Sequence, residues 1–445
     1  MKAETESQKC VGISFRKLQK AMKSNRLTMQ AQNYLTAKEA ADFLNISVDT
    51  IHRWDKKGLI KAIRDGRNYR LFDIDSLKLL HDKINGSSST PYKILKNDVK
   101  SGIKAIELFA GAGGTALGLE NAGIEHIFFN EINHDACLTL RKNFGDKRVR
   151  EQDVHEIDFS GYRGKVDLVQ AGFPCQAFSY AGRRLGFEEA RGTLFFEFAR
   201  CVKETSPKIA VGENVRGLVN HDNGKTLQTM LNVMEELGYN VAWRILKCQY
   251  LDVPQKRERL IMICTRKDLD MPIFFPKEQN YTISLREALK DCPPSPGQKY
   301  PKKKYDIMKL IPEGGYWKDL PEDLQKQYLG SSFYSTGGRT GMARRLSWDE
   351  PSLTLTCAPA QKQTERCHPS ETRPLTVREY ARIQTFPDSW EFEGSVSSQY
   401  KQIGNAVPPN LAFHIGECII AMLNNKFNPD TMEKAEPIHE QVDLF

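Results

Sequence analysis

Residues 104–119 read KAIELFAGAGGTALGL: a short apolar run stops at Phe109, a turn holds Gly111, Gly113 and Gly114, and a helical pattern continues through Leu117 and Leu119. A strand that passes through glycines straight into a helix constrains the chain to an α/β fold, because such a turn lies at the carboxyl edge of a sheet, where backbone and ligand come close. Four further short apolar runs, at 127–130, 167–171, 209–213 and 260–265, are separated by stretches of helical periodicity. Short runs between helices predict a mainly parallel, doubly wound, Rossmann-like sheet. The stretch 267–372 breaks that rhythm. It is rich in Pro, Gly, Lys and Tyr, with turns at Gly314, Gly315, Gly337 and Gly338, and reads as an irregular, mainly strand-and-loop insertion.

Two acids mark the ligand edge. Glu131 closes the run FFNEIN, where a carboxylate can accept hydrogen bonds from ribose hydroxyls, and Asp153 follows in EQDV. The glycine spacing departs from GxGxxG, which counts against a dinucleotide. A plain glycine-rich turn between strand and helix is the competing reading.

At the same edge the segment DLVQAGFPCQAFS places Cys175 just after a strand, held by Gly172 and Pro174. A cysteine attacks only as a thiolate, which requires its pKa to fall from about 8.5 under the influence of a helix end or a cation. An isolated cysteine in this position reads equally as a buried structural thiol. This one has company: GENV ends another run with Glu213 and Asn214, and PQKRER brings Gln255, Arg257 and Arg259. A thiolate, a carboxylic acid and arginines in one cleft suit the activation of carbon 5 of a pyrimidine. Attack of Cys175 on C6 saturates the 5,6 bond, a proton from Glu213 at N3 takes up the developing charge, and the arginines fix O2.

Composition sets the frame. A chain of 445 residues with 40% hydrophobic content accommodates two or three domains, and a net charge of +8 favours a polyanionic partner. Ten cysteines without a CxxC pair indicate neither a disulfide framework nor a zinc ribbon, and Cys357, Cys367 and His368 are too loosely spaced for metal ligands, so no metal is expected. No run reaches the length of a transmembrane helix and the N-terminus lacks a signal-peptide core, so a cytoplasmic protein without membrane contact is expected.

The N-terminal fifth has its own text. The first thirty residues carry seven Lys or Arg against two Glu, with Val11, Phe15, Leu18 and Met22 on one helical face. From Tyr34, Thr36 and Glu39 form a capping box that opens a short helix. Ala40, Ala41 and Leu44 would pack against Ile51 and Trp54 of a second helix, leaving Ser47, Asp49, Thr50, His52 and Arg53 to face outwards. A hairpin closed at Asp65 and Gly66 puts Arg64, Arg67 and Arg70 on a wing, and a helix begins near Asp75. This pattern resembles the winged helix-turn-helix of MerR and excisionase proteins, with Thr50, Arg53 and Arg67 as DNA contacts. A small helical domain that binds no DNA is the alternative. The Ser- and Gly-rich stretch from Asn85 marks a linker.

From 103 to 423 the sequence resembles the bacterial DNA (cytosine-5)-methyltransferases of type II restriction-modification systems: FAGAGG, the Pro174–Cys175 pair, RGTLFFE, ENV, QKRER, RPLTVREYARIQTFP and QIGNAVP stand in that family's order. The resemblance implies a class I S-adenosylmethionine-dependent methyltransferase fold and a target base extruded from the duplex. It makes Cys175 the nucleophile, places Glu213 on N3 and the amino group, and sets Arg259 against the flipped base with Arg257 beside it. It also implies that Phe109, Gly111, Gly113, Glu131, Ile132, Asp153, Val154, Pro174, Asn405 and Val407 line the pocket for S-adenosyl-L-methionine, which leaves as S-adenosyl-L-homocysteine. A loop at 176–186 would close over the DNA with Ser179, Arg183 and Arg184 facing the gap, and Gln176 is a further candidate DNA contact. The insertion corresponds to the target-recognition region, with Arg339, Arg344, Arg345, Gln361, Lys362 and Gln363 as candidate base contacts; each reads alternatively as a phosphate contact or solvated charge.

The implied organisation is a basic segment 1–33, a helix-turn-helix 34–84, a linker 85–100, a catalytic domain 101–266, the recognition region 267–372, a returning catalytic part 373–426 and a tail 427–445. Implied partners are double-stranded DNA and a genetically linked restriction endonuclease that need not touch the protein, which would be nucleoid-associated. A monomer is expected, with dimerisation through the helix-turn-helix on an operator as the alternative. The helix-turn-helix departs from the usual family pattern and suggests autoregulation. An RNA cytosine-5 methyltransferase shares the chemistry and is the rival reading. A nicotinamide oxidoreductase leaves the thiol and carboxylic acid unexplained, and a pure transcriptional regulator leaves most of the chain without a task.

Overall fold

The computed structural model describes residues 34–44, 46, 48–56, 60–64, 68–74, 76–77, 92–174, 193–334 and 340–438. The chain divides into two compact units, 1–90 and 91–445.

In the first unit, β1 (Tyr34–Thr36), α1 (Ala37–Leu44), α2 (Val48–Lys56), β2 (Ala62–Arg64) and β3 (Arg70–Asp73) form two helices on an antiparallel sheet of order β1-β3-β2. The capping box is in place: Glu39 Oε2 accepts from the Thr36 amide and hydroxyl at 2.9 and 2.8 Å, and the Glu39 amide donates back to Thr36 Oγ1 at 3.4 Å. Ala40, Ala41, Leu44, Ile51, Ile60 and Phe72 make the core, with Trp54 packed against it. Arg53 is exposed and Thr50 half-buried on α2. The wing differs from expectation in one residue. Arg70 is turned inward to an ion pair with Asp55 of α2 at 2.9 Å, which fastens β3 to the helix. Arg64 donates to the Asn68 carbonyl at 2.9 Å, and Arg67 lies outside the described residues.

The second unit is built on β4 (Lys104–Leu108), α3 (Gly114–Ala122), β5 (Glu125–Glu131), α4 (His134–Phe144), β6 (Val149–Glu151), β7 (Leu168–Ala171), α5 (Leu194–Thr205), β8 (Ile209–Val215), α6 (Lys225–Glu236), β9 (Tyr239–Lys247), β10 (Gln255–Lys256) and β11 (Glu258–Arg266). The main sheet has seven strands in the order β6-β5-β4-β7-β8-β11-β9. Neighbours from β6 to β8 are parallel, and β11 runs antiparallel to both β8 and β9. The mainly parallel sheet read from the alternation is therefore present, with one reversed strand near its edge. Side-chain alternation along β4 sorts the two faces. Ile106 and Leu108 join the core beneath α5 and α6, and Ala105 joins the core that contains Leu119 of α3.

Beyond β11 come β12 (Ile273–Pro276), α7 (Leu285–Ala288), α8 (Lys302–Met308), α9 (Glu322–Leu329), β13 (Ser352–Leu353), α10 (Val377–Ile383), α11 (Val396–Asn405), α12 (Pro409–Leu423) and β14 (Met432–Ala435). The insertion is irregular as expected, but its regular parts are mostly short helices rather than strands. Pro301 and Pro321 open α8 and α9 at their N-caps, a position where proline's missing amide costs nothing. Met308, Ile311, Trp317, Leu320 and Leu329 give this region its own small core. The apolar stretch Val396–Leu423 is mostly buried and breaks after Asn405 into α11 and α12. α12 returns beside α3, with Leu411, Ile415 and Ile419 in the same core as Leu119.

Candidate active site

A cavity of about 520 Å³ opens at the carboxyl ends of β4, β5 and β8. Phe109, Gly111, Glu131 and Ile132 line one side, Pro174, Glu213 and Arg259 another, and Asn405 and Val407 come from the segment joining α11 to α12. The turn after β4 is held in an unusual backbone. Phe109 itself adopts φ 57° and Gly111 φ 54°, a region that costs most side chains strain. The strain is held by Glu131, whose Oε2 accepts the Gly111 amide at 2.8 Å while Oε1 accepts the amides of Ile132 and Asn133 at 2.9 and 2.8 Å. Ile132 is 67% exposed at the rim, an apolar face of the kind that covers a flat ring.

Three further residues expected in this pocket have contacts of their own. Gly113, at φ 80°, is a packing position: a Cβ there would meet Phe144 at 2.7 Å and Leu140 at 3.0 Å. Asp153 caps a short turn, accepting the His155 amide at 3.1 Å and pairing with His155 Nδ1 at 2.7 Å, and it stands outside the cavity wall. Val154 is buried in the core beneath α5. Gly114 is likewise a close approach, since a Cβ there would run into the Val407 carbonyl oxygen.

At the other end, Glu213 Oε1 meets Arg259 Nε at 2.8 Å, with both side chains largely buried. β8 and β11 pair antiparallel, so their facing ends bring the two together. Burial raises the Glu213 pKa above the ordinary carboxylate value, and the nearby charges of Arg259 and Arg257 offset it only in part. A Cβ at Gly172 would stand 3.3 Å from Glu213 Oε2, so the glycine leaves the carboxylate room. Asn214 Nδ2 donates to the Phe173 carbonyl at 2.9 Å, tying the end of β8 to the segment that leads through Pro174 to Cys175. Cys175 lies outside the described residues, as do Gln176, Ser179, Arg183 and Arg339.

Arg257, expected among the reacting groups, is instead a clamp. It is 1% exposed and donates to the carbonyls of Leu355, Gly404 and Ala406 at 3.3, 3.1 and 3.0 Å. Gln255 bonds to Gln384 Oε1 at 2.7 Å, and Gln384 donates to the Ile403 and Ala406 carbonyls at 2.6 and 3.0 Å. These residues together hold the loop that carries Asn405. Gln384 was visible only as a letter within RPLTVREYARIQTFP, because a buried amide shows no periodicity of its own. Lys401, Gln402 and Ser398 also line the cavity. Gln402 stood inside QIGNAVP, and the other two carry no signal beyond adjacency.

Arg345 is corrected in the same way. It is 4% exposed, and its guanidinium donates to the carbonyls of Met308, Ile311, His368 and Glu371, which leaves it as a structural hub and not a reader of bases. Arg344 lies half-buried, 5.7 Å above the Tyr316 ring. Gln361, Lys362 and Gln363 are exposed on a short turn.

The description of C-5 cytosine-specific DNA methylases matches residues 103–421, and that of MerR family regulatory proteins matches residues 36–72. Type II methyltransferase M.Eco47II of Escherichia coli is 55% identical over 399 residues, covering 87% of this chain and 95% of its own. M.PspPI of Psychrobacter is 50% identical over 403 residues, covering 88% and 97%. Among solved structures, a DNA modification methyltransferase encoded within an E. coli prophage superposes with a TM-score of 0.52 at 22% identity over 72% of this chain and 99% of that one, which shows a shared fold. The chain therefore belongs to the C-5 cytosine-specific DNA methylase family.

Proposed function

We propose that the protein methylates carbon 5 of a cytosine within one short double-stranded DNA sequence, with S-adenosyl-L-methionine as donor, and that this shields host DNA from a cognate endonuclease. The observation that carries the reading is the convergence of Phe109, Glu131, Asn405, Glu213 and Arg259 on one cavity. The cofactor half fits the donor: the Glu131 carboxylate lies where ribose hydroxyls are accepted, and Phe109 and Ile132 offer apolar faces to a purine. When bound, S-adenosyl-L-methionine supplies an electrophilic methyl group on a sulfonium.

The remaining steps belong to the chain. The target base leaves the stack, since its reacting atom is inaccessible within the duplex. The Cys175 thiolate forms a bond to C6, and the 5,6 π pair moves toward carbon 5 while Glu213 holds a proton at N3. Arg259, paired with Glu213, fixes O2 and orients the carboxyl. Once carbon 5 carries the methyl group, loss of its proton returns the electron pair to the 5,6 bond and expels the thiolate. We further propose that the N-terminal unit binds DNA near the gene of the methyltransferase or its endonuclease and so regulates expression.

The test is transfer of labelled methyl from S-adenosyl-L-methionine to duplex DNA by native protein and Cys175→Ala, with bisulfite sequencing. Label at carbon 5 of cytosine in a single motif, absent in the variant, supports the reading. Label on tRNA alone, or undiminished in the variant, overturns it.

A further inference from the structure

Gln361, Lys362 and Gln363 form the exposed apex of a loop whose two feet meet on one half-hidden lysine. Lys304 of α8, 18% exposed, donates from Nζ to the Ala360 carbonyl at 2.6 Å and pairs with Glu365 Oε2 at 2.7 Å. Ala360 precedes the apex and Glu365 follows it, so a single ammonium closes the loop from beneath. The surroundings admit little slack. Glu365 is fully buried and accepts from Tyr328 Oη at 3.3 Å, and its amide donates to the Gly341 carbonyl at 2.9 Å. A Cβ at Gly341 would lie 2.5 Å from the Gln363 carbonyl oxygen, so the 340–343 segment presses against the loop as only glycine allows. Lys362 extends over the Tyr328 ring at 5.2 Å. Arg366 holds the outgoing segment by donating to the Thr354 carbonyl at 3.0 and 2.6 Å.

We infer that Lys304 is a positioning residue for sequence recognition: by fastening Ala360 and Glu365 it sets the register in which Gln361 and Gln363 meet base edges in the major groove. The inference rests on the reading that this turn contacts DNA. Bidentate readout of a base by a glutamine amide depends on two hydrogen bonds formed at once, so it tolerates little displacement. A flexible foot would blur discrimination before it abolished methyl transfer, because Lys304 is absent from the wall of the reacting cavity.

The experiment compares kcat/KM on a duplex carrying the motif mapped by bisulfite sequencing with that on duplexes altered at one base pair of the motif. Lys304→Met removes the clamp, and Lys304→Met with Glu365→Gln removes it without leaving a buried carboxylate unpaired, so the pair of variants separates clamping from folding. The expected result is a loss of roughly tenfold in the ratio of mapped to altered duplex, the scale of one bidentate contact, with turnover on the mapped duplex retained. A proportional fall on all duplexes, as a smaller folded fraction would give, or an unchanged ratio, overturns the inference. Gln361→Ala and Gln363→Ala are measured alongside. If neither moves the ratio, the base-contact reading falls and the inference with it; if they move it and Lys304→Met does not, the clamp alone is refuted.

Discussion

Glu213 stands under opposed influences, and the sign of their sum is testable. Burial lifts its pKa, the charges of Arg259 and Arg257 lower it, and burial prevails. A carboxyl raised in the folded state binds its proton more tightly there than in the unfolded chain. Its contribution to stability is therefore complete below the ordinary value of 4.5 and is lost as pH rises through the raised folded value. Catalysis follows the same sign, because the proton offered at N3 exists only while Glu213 is protonated. We expect kcat of the native protein to fall on the alkaline side of that pKa. Glu213→Gln, which keeps a donor but does not titrate, should lose about 100-fold in kcat and show no such limb in a single-turnover pH profile. An identical limb in both proteins would remove Glu213 from the proton-bearing role. Glu213, Arg259, Phe109 and Glu131, which line the cavity, were legible in the sequence because each stands in a short motif at one edge of the sheet: Phe109, Glu131 and Glu213 at or beside the carboxyl ends of β4, β5 and β8, and Arg259 at the start of the antiparallel β11. Arg257 and Arg345 were misread because letters beside a motif do not reveal which way a side chain turns. The guanidinium that clamps carbonyls and the one that faces the cavity stand two residues apart in QKRER.

The elements explain why residues so far apart in sequence meet. α12 is entered through Asn405, the last residue of α11, and Val407 of the connector; it lies against α3, which begins at the glycine turn, and the contact is possible because both helices present glycine. A Cβ at Gly118 would run into the Pro409 carbonyl oxygen and, at 2.5 Å, the Ala412 side chain; one at Gly416 would stand 2.7 Å from Ala122. Gly118→Ala should therefore destabilise the protein by about 1–3 kcal/mol as an overpacked contact, read as a lowered urea midpoint at unchanged m-value. Because Val407 and Asn405 sit at the moving end, affinity for S-adenosyl-L-methionine should weaken in parallel. A shift below about 0.5 kcal/mol, the range of ordinary surface substitutions, would show that the helices part without cost. The buried central strands were readable as continuous apolar runs. β6 and β9 were less so: β6 is three residues long, and β9 lies at the sheet edge with Arg244 and Lys247 half in solvent, where the apolar pattern is diluted. The helical content of the insertion was masked by its Pro and Lys content, though Pro301 and Pro321 open its helices.

At the scale of the whole chain, two units with separate cores imply two separable activities. Among the described residues, the cores of the second unit draw on residues from Ile103 onward and the core of the first unit on residues 35–77. Removing residues 1–90 should therefore leave kcat on a short duplex within about twofold, the spread expected of a change distant from the chemistry. What should change is DNA binding away from the methylation motif. α2 presents exposed Arg53 beside half-buried Thr50, the placement of a recognition helix at the major groove, and the match to MerR regulators covers this segment. If the unit reads an operator, the full-length protein protects a discrete stretch of upstream DNA that lacks the methylation motif, a reporter driven from that DNA is repressed, and both effects vanish on deletion. If the unit only tethers, deletion removes a sequence-independent affinity whose logarithm falls with the logarithm of salt by about 0.9 per phosphate contact, with no footprint to lose. Unchanged expression and unchanged binding after deletion would refute both roles, because the unit would then contribute neither a specific nor a sequence-independent contact with DNA.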